Sequence, residues 1–150
     1  QSSSRGLGDV YKRQPTNITY GHNNRSAQFR LPQNRYCIEN RAADMTMNVY
    51  LAFSMTLAAA VEGIKMKTHP GKPTDQDLYN MTDKEFKKLG IKRLPRNLLM
   101  ALEALKNDKL SDEVIGTVMK NSLLAYKNDE WERYHQAVTD WEVKEYLRLY

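Results

Sequence analysis

The chain has one cysteine, Cys37, so it has no internal disulfide, which fits a reducing compartment. No stretch approaches about 18 consecutive apolar residues, which argues against a membrane-spanning helix. The most apolar run, Val49–Val61, is broken by Ser54 and Thr56 and closed by Glu62, and reads as a buried helix. There is no Walker-type loop, no Gly-x-Gly-x-x-Gly, no Cys-x-x-Cys and no signal-peptide core. His22, His69 and His135 have no metal-ligand spacing and read as loop or surface residues. Without a partner histidine in a nucleophile context, Cys37 reads as a small buried hydrophobe.

Positive charge is less abundant than the net +5 suggests. Residues 1–14, QSSSRGLGDVYKRQ, show no apolar period, and RGLGDVYKRQ resembles translated adaptor sequence. They read as a non-native or disordered leader and contribute Arg5, Lys12 and Arg13 against Asp9, leaving about +3 on the rest. That balance argues against nucleic acid as a partner. Setting the leader aside, the chain reads as a fragment of a larger protein.

What is present is order. Ile18–Tyr20, Ser26–Leu31 and Tyr36–Arg41 read as three short antiparallel strands, with a turn at Gly21–Asn24. Helical spacing follows: Asn48 caps a helix running to Ile64, and Thr82 with Glu85 forms a capping box for a short helix ending at Gly90. A further helix starts around Pro95–Asn97, another is capped by Ser111, and a last one runs from about Asp129 with a kink at Thr139-Asp140. The expected class is α+β, with short antiparallel strands at the N-terminal end and a mainly helical remainder.

The ribbon Gly21–Arg41 carries the chemistry. Arg25 and Arg30 offer planar forks that suit phosphate oxygens. Strict alternation sets them on opposite faces, so a shared site requires Arg25 to lie in the turn or a bulge to intervene. Glu39 and Arg41, two apart on a strand, point the same way: a carboxylate suited to a hard divalent ion beside a guanidinium suited to a carboxylate. Taken alone, these residues read more readily as edge-strand arginines and a surface ion pair than as a site. The lysines at 84, 87 and 88 read as a solvated helix face, and Trp131 and Trp141 as packing.

Four elements in order, Asn24-Arg25-Ser26-Ala27, Arg30-Leu31-Pro32, Ile38-Glu39-Asn40-Arg41 and Asn48-Val49-Tyr50-Leu51-Ala52, the last helix closing on Glu62-Gly63-Ile64, resemble the C-terminal part of the glutamine synthetase catalytic domain. Asp77-Leu78-Tyr79, Leu94-Pro95 and Ala101-Leu102-Glu103 continue the likeness, which spans residues 15–150. The resemblance implies a fragment of that catalytic fold, with ATP and Mg²⁺ or Mn²⁺ as cofactors. It implies that Arg25 and Arg30 bind ATP phosphates and the transferred phosphoryl group, and that Glu39 binds metal. Arg41 would hold the substrate glutamate, Arg25 and Arg41 being the catalytic pair. The implied reaction phosphorylates the γ-carboxylate of L-glutamate and then lets ammonia displace phosphate, in a cytoplasmic ring of identical subunits.

The sequence departs from the family at two places and shortens it at a third. Val49 stands where the family has proline, and Cys37 where many members have a basic residue, a place Arg35 could take. The short bridge from Pro32 to Glu39 resembles branches that join glutamate to amines such as methylamine. Ammonia and a small amine therefore both remain open as acceptor, as does a non-catalytic homologue. Because the family's other metal ligands lie upstream, the chain alone is expected to be inactive.

Overall fold

The computed structural model describes Pro15 and residues 17–147. These fall into two compact units, one ending at Arg96 and the other beginning at Asn97. The leader assigned to residues 1–14 lies outside the described residues. The first unit holds β1 (Asn17–Ile18), β2 (Tyr20–His22), β3 (Phe29–Leu31), β4 (Glu39–Asn40), α1 (Val49–Lys65), α2 (Asp83–Leu89) and β5 (Lys92–Arg93). The second holds α3 (Leu98–Asn107), α4 (Lys109–Ile115), α5 (Thr117–Gln136) and α6 (Asp140–Tyr146). The class is α+β, as expected.

The strand pairing differs from the expected antiparallel ribbon. β3 and β4 are antiparallel, but β2 and β3 run parallel, Tyr20 opposite Phe29 and His22 opposite Leu31. Parallel neighbours ordinarily need a crossover of a dozen residues or more. Here residues 23–28 suffice because the paired segment is short and the loop is folded back on itself. Asn23 takes a left-handed backbone, φ 55°, which asparagine tolerates. Asn24 then donates to the carbonyls of Thr74 and Gln76 at 2.6 and 2.9 Å and accepts from the Ser26 amide and hydroxyl at 2.8 and 2.7 Å. Ser26 is therefore loop, not strand, and its hydroxyl accepts from the Leu78 amide at 2.9 Å. β1 pairs antiparallel with β5, a strand not anticipated from sequence.

Those ties bring segment 74–78 against β2. The Thr74 amide donates to the Tyr20 carbonyl at 2.8 Å. Gly21 is needed at this approach, because a Cβ there would collide with the Thr74 carbonyl oxygen and lie 2.8 Å from the Asn24 Cβ. The buried apolar side chains of this unit, Ala27, Leu78 and Phe86, come from the same loop, segment and α2. Cys37, expected to be buried, is exposed in the loop before β4.

α1 begins where expected, the Asn48 side chain accepting from the amides of Tyr50 and Leu51. Its burial does not follow expectation. Tyr50, Phe53, Leu57, Val61 and Ile64 form one apolar stripe, yet all are exposed and the helix contributes no buried residue. The stripe is a packing face with no element of the described chain laid over it. α2 carries the expected capping box and stops at Gly90. Lys84, Lys87 and Lys88 are solvated, as anticipated.

In the second unit, two helix boundaries are corrected. Asp108, not Ser111, caps α4: its carboxylate accepts from the Ser111 amide at 2.8 Å, and Ser111 itself is buried inside the helix. Gly116, at φ 77° and ψ 150°, a region open essentially to glycine, separates α4 from α5. α5 then runs unbroken through Asp129, so no helix starts there. The anticipated kink is a full break, with Thr139 and Glu142 forming a second capping box for α6. Lys120 is buried and donates to the Asp108 carbonyl at 2.7 Å and to Asp112 at 2.8 Å, pinning α5 to the start of α4. Trp131 is half-buried, whereas Trp141, expected to pack, is exposed. No described helix is long and apolar enough to cross a membrane.

Candidate functional site

The antiparallel register of β3 and β4 sets Arg30 directly opposite Glu39. Directly opposed residues share a face of the sheet. Arg30 donates from Nη1 to Glu39 Oε2 at 2.9 Å and from Nη2 to Asn23 Oδ1 at 2.6 Å. Two residues past Glu39, Arg41 falls on the same side, with Nε 3.5 Å from Glu39 Oε1. Arg35, from the loop before β4, brings Nη2 within 3.4 Å of Glu39 Oε2. One carboxylate thus faces three guanidinium groups.

Arg25 joins this cluster through its backbone. It lies in the turn between β2 and β3, one of the two placements under which it could share a site with Arg30. Its carbonyl accepts from Arg41 Nη1 and, at 3.0 Å, from the Tyr79 hydroxyl. Its own guanidinium is exposed and has no partner among the described residues. The structure therefore gathers Arg25, Arg30, Glu39 and Arg41 into one neighbourhood.

Asn23, Asn24 and Tyr79 were not singled out as site residues by sequence reasoning. Asn23 fixes the far side of Arg30, and Asn24 holds the turn that carries Arg25. The signal for both was the asparagine pair after Gly21, since asparagine accepts left-handed turns and ties its side chain to nearby backbone. Tyr79 had no local signal, because its link to Arg25 spans more than fifty residues.

The cluster carries a large positive excess, one carboxylate against four guanidiniums, and rigid forks of this kind suit phosphate or carboxylate ligands. For a cation, Glu39 supplies a hard oxygen donor of the type that Mg²⁺ or Mn²⁺ prefers. No group of three or more His, Cys, Asp or Glu gathers among the described residues. Among the described residues the cluster therefore offers one carboxylate and no cation cage. His22, in β2, is paired elsewhere: its Nδ1 lies 3.4 Å from the Asp75 carboxylate, and its amide donates to that carboxylate at 2.7 Å.

Comparison with known proteins adds the following. The family described as glutamine synthetase, catalytic domain, matches residues 7–146. A glutamine synthetase of Methanocaldococcus jannaschii is 40% identical over 136 residues, covering 89% of this chain and 30% of the relative. A glutamate–methylamine ligase of Methyloversatilis universalis is 38% identical over 136 residues, covering 91% of this chain and 30% of the relative. A solved structure described as a GmaS/ADP complex superposes with a TM-score of 0.79 at 32% identity, over 95% of this chain and 31% of that one. The chain thus spans less than a third of the length of these relatives.

Proposed function

The chain belongs to the glutamine synthetase catalytic-domain family, and from that premise we propose that it forms one wall of an active site for ATP-dependent ligation of ammonia to the γ-carboxylate of L-glutamate. The observation that carries the reading is the convergence of Arg30 and Arg41 on Glu39, with Arg25 tied to Arg41. ATP phosphates and the glutamate carboxylate are the anionic groups such a charge pattern accommodates.

In this reading, each residue's task follows from how it is held. Arg25, whose guanidinium is exposed and unpaired among the described residues, meets phosphate oxygens. Arg30, fixed between Asn23 and Glu39, sets a guanidinium whose position does not depend on the ligand. Fixed donors stabilise charge that develops during transfer without having to reorganise. Arg41, braced by the Arg25 carbonyl, orients the glutamate carboxylate that accepts the phosphoryl group. Glu39 would contribute one oxygen to a divalent ion, which when bound would neutralise phosphate charge. The γ-glutamyl phosphate then reacts with the amine, releasing phosphate. The remaining ion ligands and the ammonia site come from polypeptide beyond these residues, within a ring of identical subunits.

Methylamine is the second acceptor to weigh, because a glutamate–methylamine ligase and a GmaS/ADP complex are both among the similar proteins. The test is a pair of chimeras, residues 17–147 replacing the corresponding segment of the M. jannaschii synthetase in one and of the M. universalis ligase in the other, each assayed with glutamate, ATP and its parent's amine. Retention of the parent's rate in the synthetase background alone supports the ammonia ligase; retention in the ligase background alone supports the methylamine ligase. Arg41→Ala in the active chimera is expected to remove at least about a hundredfold of kcat/KM. Activity that survives this substitution would sink the assignment. The 150-residue chain alone is expected to show no γ-glutamyl transfer, since among the described residues the cluster offers a single carboxylate to the cation.

A further inference from the structure

Within the first unit a cleft of about 390 Å³ opens between β1, the segment leading to residue 76 and the turn from α2 into β5. Its volume falls in the range of small-molecule sites. Ile18, Leu89 and Ile91 give it an apolar stretch, and Lys72, Thr74 and Asp75 give it polar groups.

Polar ties hold each wall. β1 pairs with β5, with Ile18 opposite Lys92. The Thr19 and Thr74 hydroxyls share a hydrogen bond of 3.0 Å, and the Tyr20 hydroxyl donates to the Gly71 carbonyl at 3.1 Å. The Ile91 amide donates to the Phe86 carbonyl at 3.1 Å, which fixes the turn out of α2. The cleft is therefore formed before any ligand arrives, and little ordering opposes binding.

Its free charge is positive. Asp75 is already engaged by the amide and ring of His22. Lys72 is exposed and has no partner among the described residues. Opposed residues of an antiparallel pair share a face, so Lys92 stands on the side of the sheet that Ile18 presents to the cleft. A lysine meets an anion as a point charge, whichever acid group carries it.

The geometry points to this cleft as a binding site for a small organic anion, its carbon body against Ile18, Leu89 and Ile91 and its carboxylate or phosphate at Lys72. The site is independent of the ligase reading, because no residue of the Arg25–Arg41 cluster lines the cleft.

The test uses the 150-residue chain and follows the methyl signals of Ile18, Leu89 and Ile91 by NMR. Sodium hexanoate and monohexyl phosphate are the probes; hexylamine and inorganic phosphate are the controls. The expected result is shifts confined to those methyls and the Lys72 amide, with both controls at least about tenfold weaker. The tighter probe identifies the head group. Lys72→Gln should weaken it about fivefold, and Lys72→Arg should restore most of the loss. Leu89→Trp fills the cleft from a side chain already 47% exposed, so it should spare the fold and abolish binding. Hexylamine binding as well as the probes would overturn the proposal and leave an apolar surface. Inorganic phosphate binding as well would overturn it and leave a surface charge. Larger shifts at Phe53 and Leu57 would mean adsorption to the exposed stripe of α1, and binding that survives Leu89→Trp would put the ligand elsewhere; either result sinks the site, as does the absence of any shift.

Discussion

The strands and loop from Gly21 to Arg41 and the helix α1 belong to the same unit, yet they are held by opposite means. The first is cross-tied by polar groups. Asn24 and Ser26 reach segment 74–78, Arg30 bridges Asn23 and Glu39, and Arg41 and Tyr79 share the Arg25 carbonyl. The second is a long helix whose apolar stripe is exposed along its whole length. Directional ties fix side chains to within fractions of an ångström, and an uncovered apolar stripe fixes nothing. A charged site needs the first kind of scaffold.

The sharpest way to break the contrast is at Asn24. Its side chain makes two donated and two accepted bonds, and alanine would strand the Thr74 and Gln76 carbonyls. Asn24→Ala is expected to cost the first unit about 3 kcal/mol, read from amide exchange of β2, β3 and residues 74–79. A loss below about 0.5 kcal/mol, the level of an ordinary surface change, would mean the ties are incidental. Gly21→Ala comes next, at about 2 kcal/mol, because the colliding group is a backbone carbonyl that cannot swing aside.

Much of this molecule was legible in its residues, and the boundary follows distance along the chain. The Asn48 cap, the Thr82–Glu85 box and the asparagine at 97 are side-chain-to-backbone contacts within three residues, so the local pattern suffices. The second box, Thr139 with Glu142, carried the same signal, although its stretch reads more readily as a kink. Period two placed Glu39 and Arg41 together without any tertiary knowledge. The parallel pairing of β2 with β3 was not legible, since it depends on Asn24 reaching a segment fifty residues on. The exposure of α1 was not legible either, because an apolar stripe reports that a helix wants a partner and not whether one is present.

The capping boxes give a smaller and separable effect. Hydrogen bonds from the backbone and then the side chain of Thr82 hold the Glu85 carboxyl below the usual carboxylate range, and Thr139 does the same for Glu142. A carboxylate whose folded value is depressed adds stability that is complete above its unfolded value and lost as pH falls through the folded one. α2 and α6 should therefore fray on acidification from the ordinary carboxylate range downward. Thr82→Ala should cost about 1 kcal/mol at neutral pH and flatten that acid response at α2 alone, as amide exchange at Glu85 and Phe86 would show. An unchanged acid response at α2 would remove the box as its cause.

The smallest stability effect is expected on α1, and its smallness is the point. Leu57 is 66% exposed and Phe53 63% exposed, so neither contributes appreciable packing that a substitution could remove. Leu57→Glu should shift the thermal midpoint by less than the equivalent of about 0.5 kcal/mol. It should nevertheless change how the chain behaves in concentrated solution, because a contiguous apolar stripe rimmed by polar residues favours association. Sedimentation of the unsubstituted chain should show concentration-dependent self-association that Leu57→Glu, and more so the pair with Phe53→Glu, reduces. If Leu57→Glu instead unfolds the first unit, α1 is held by packing after all, and the contrast between tied loop and uncovered helix does not describe this protein in solution.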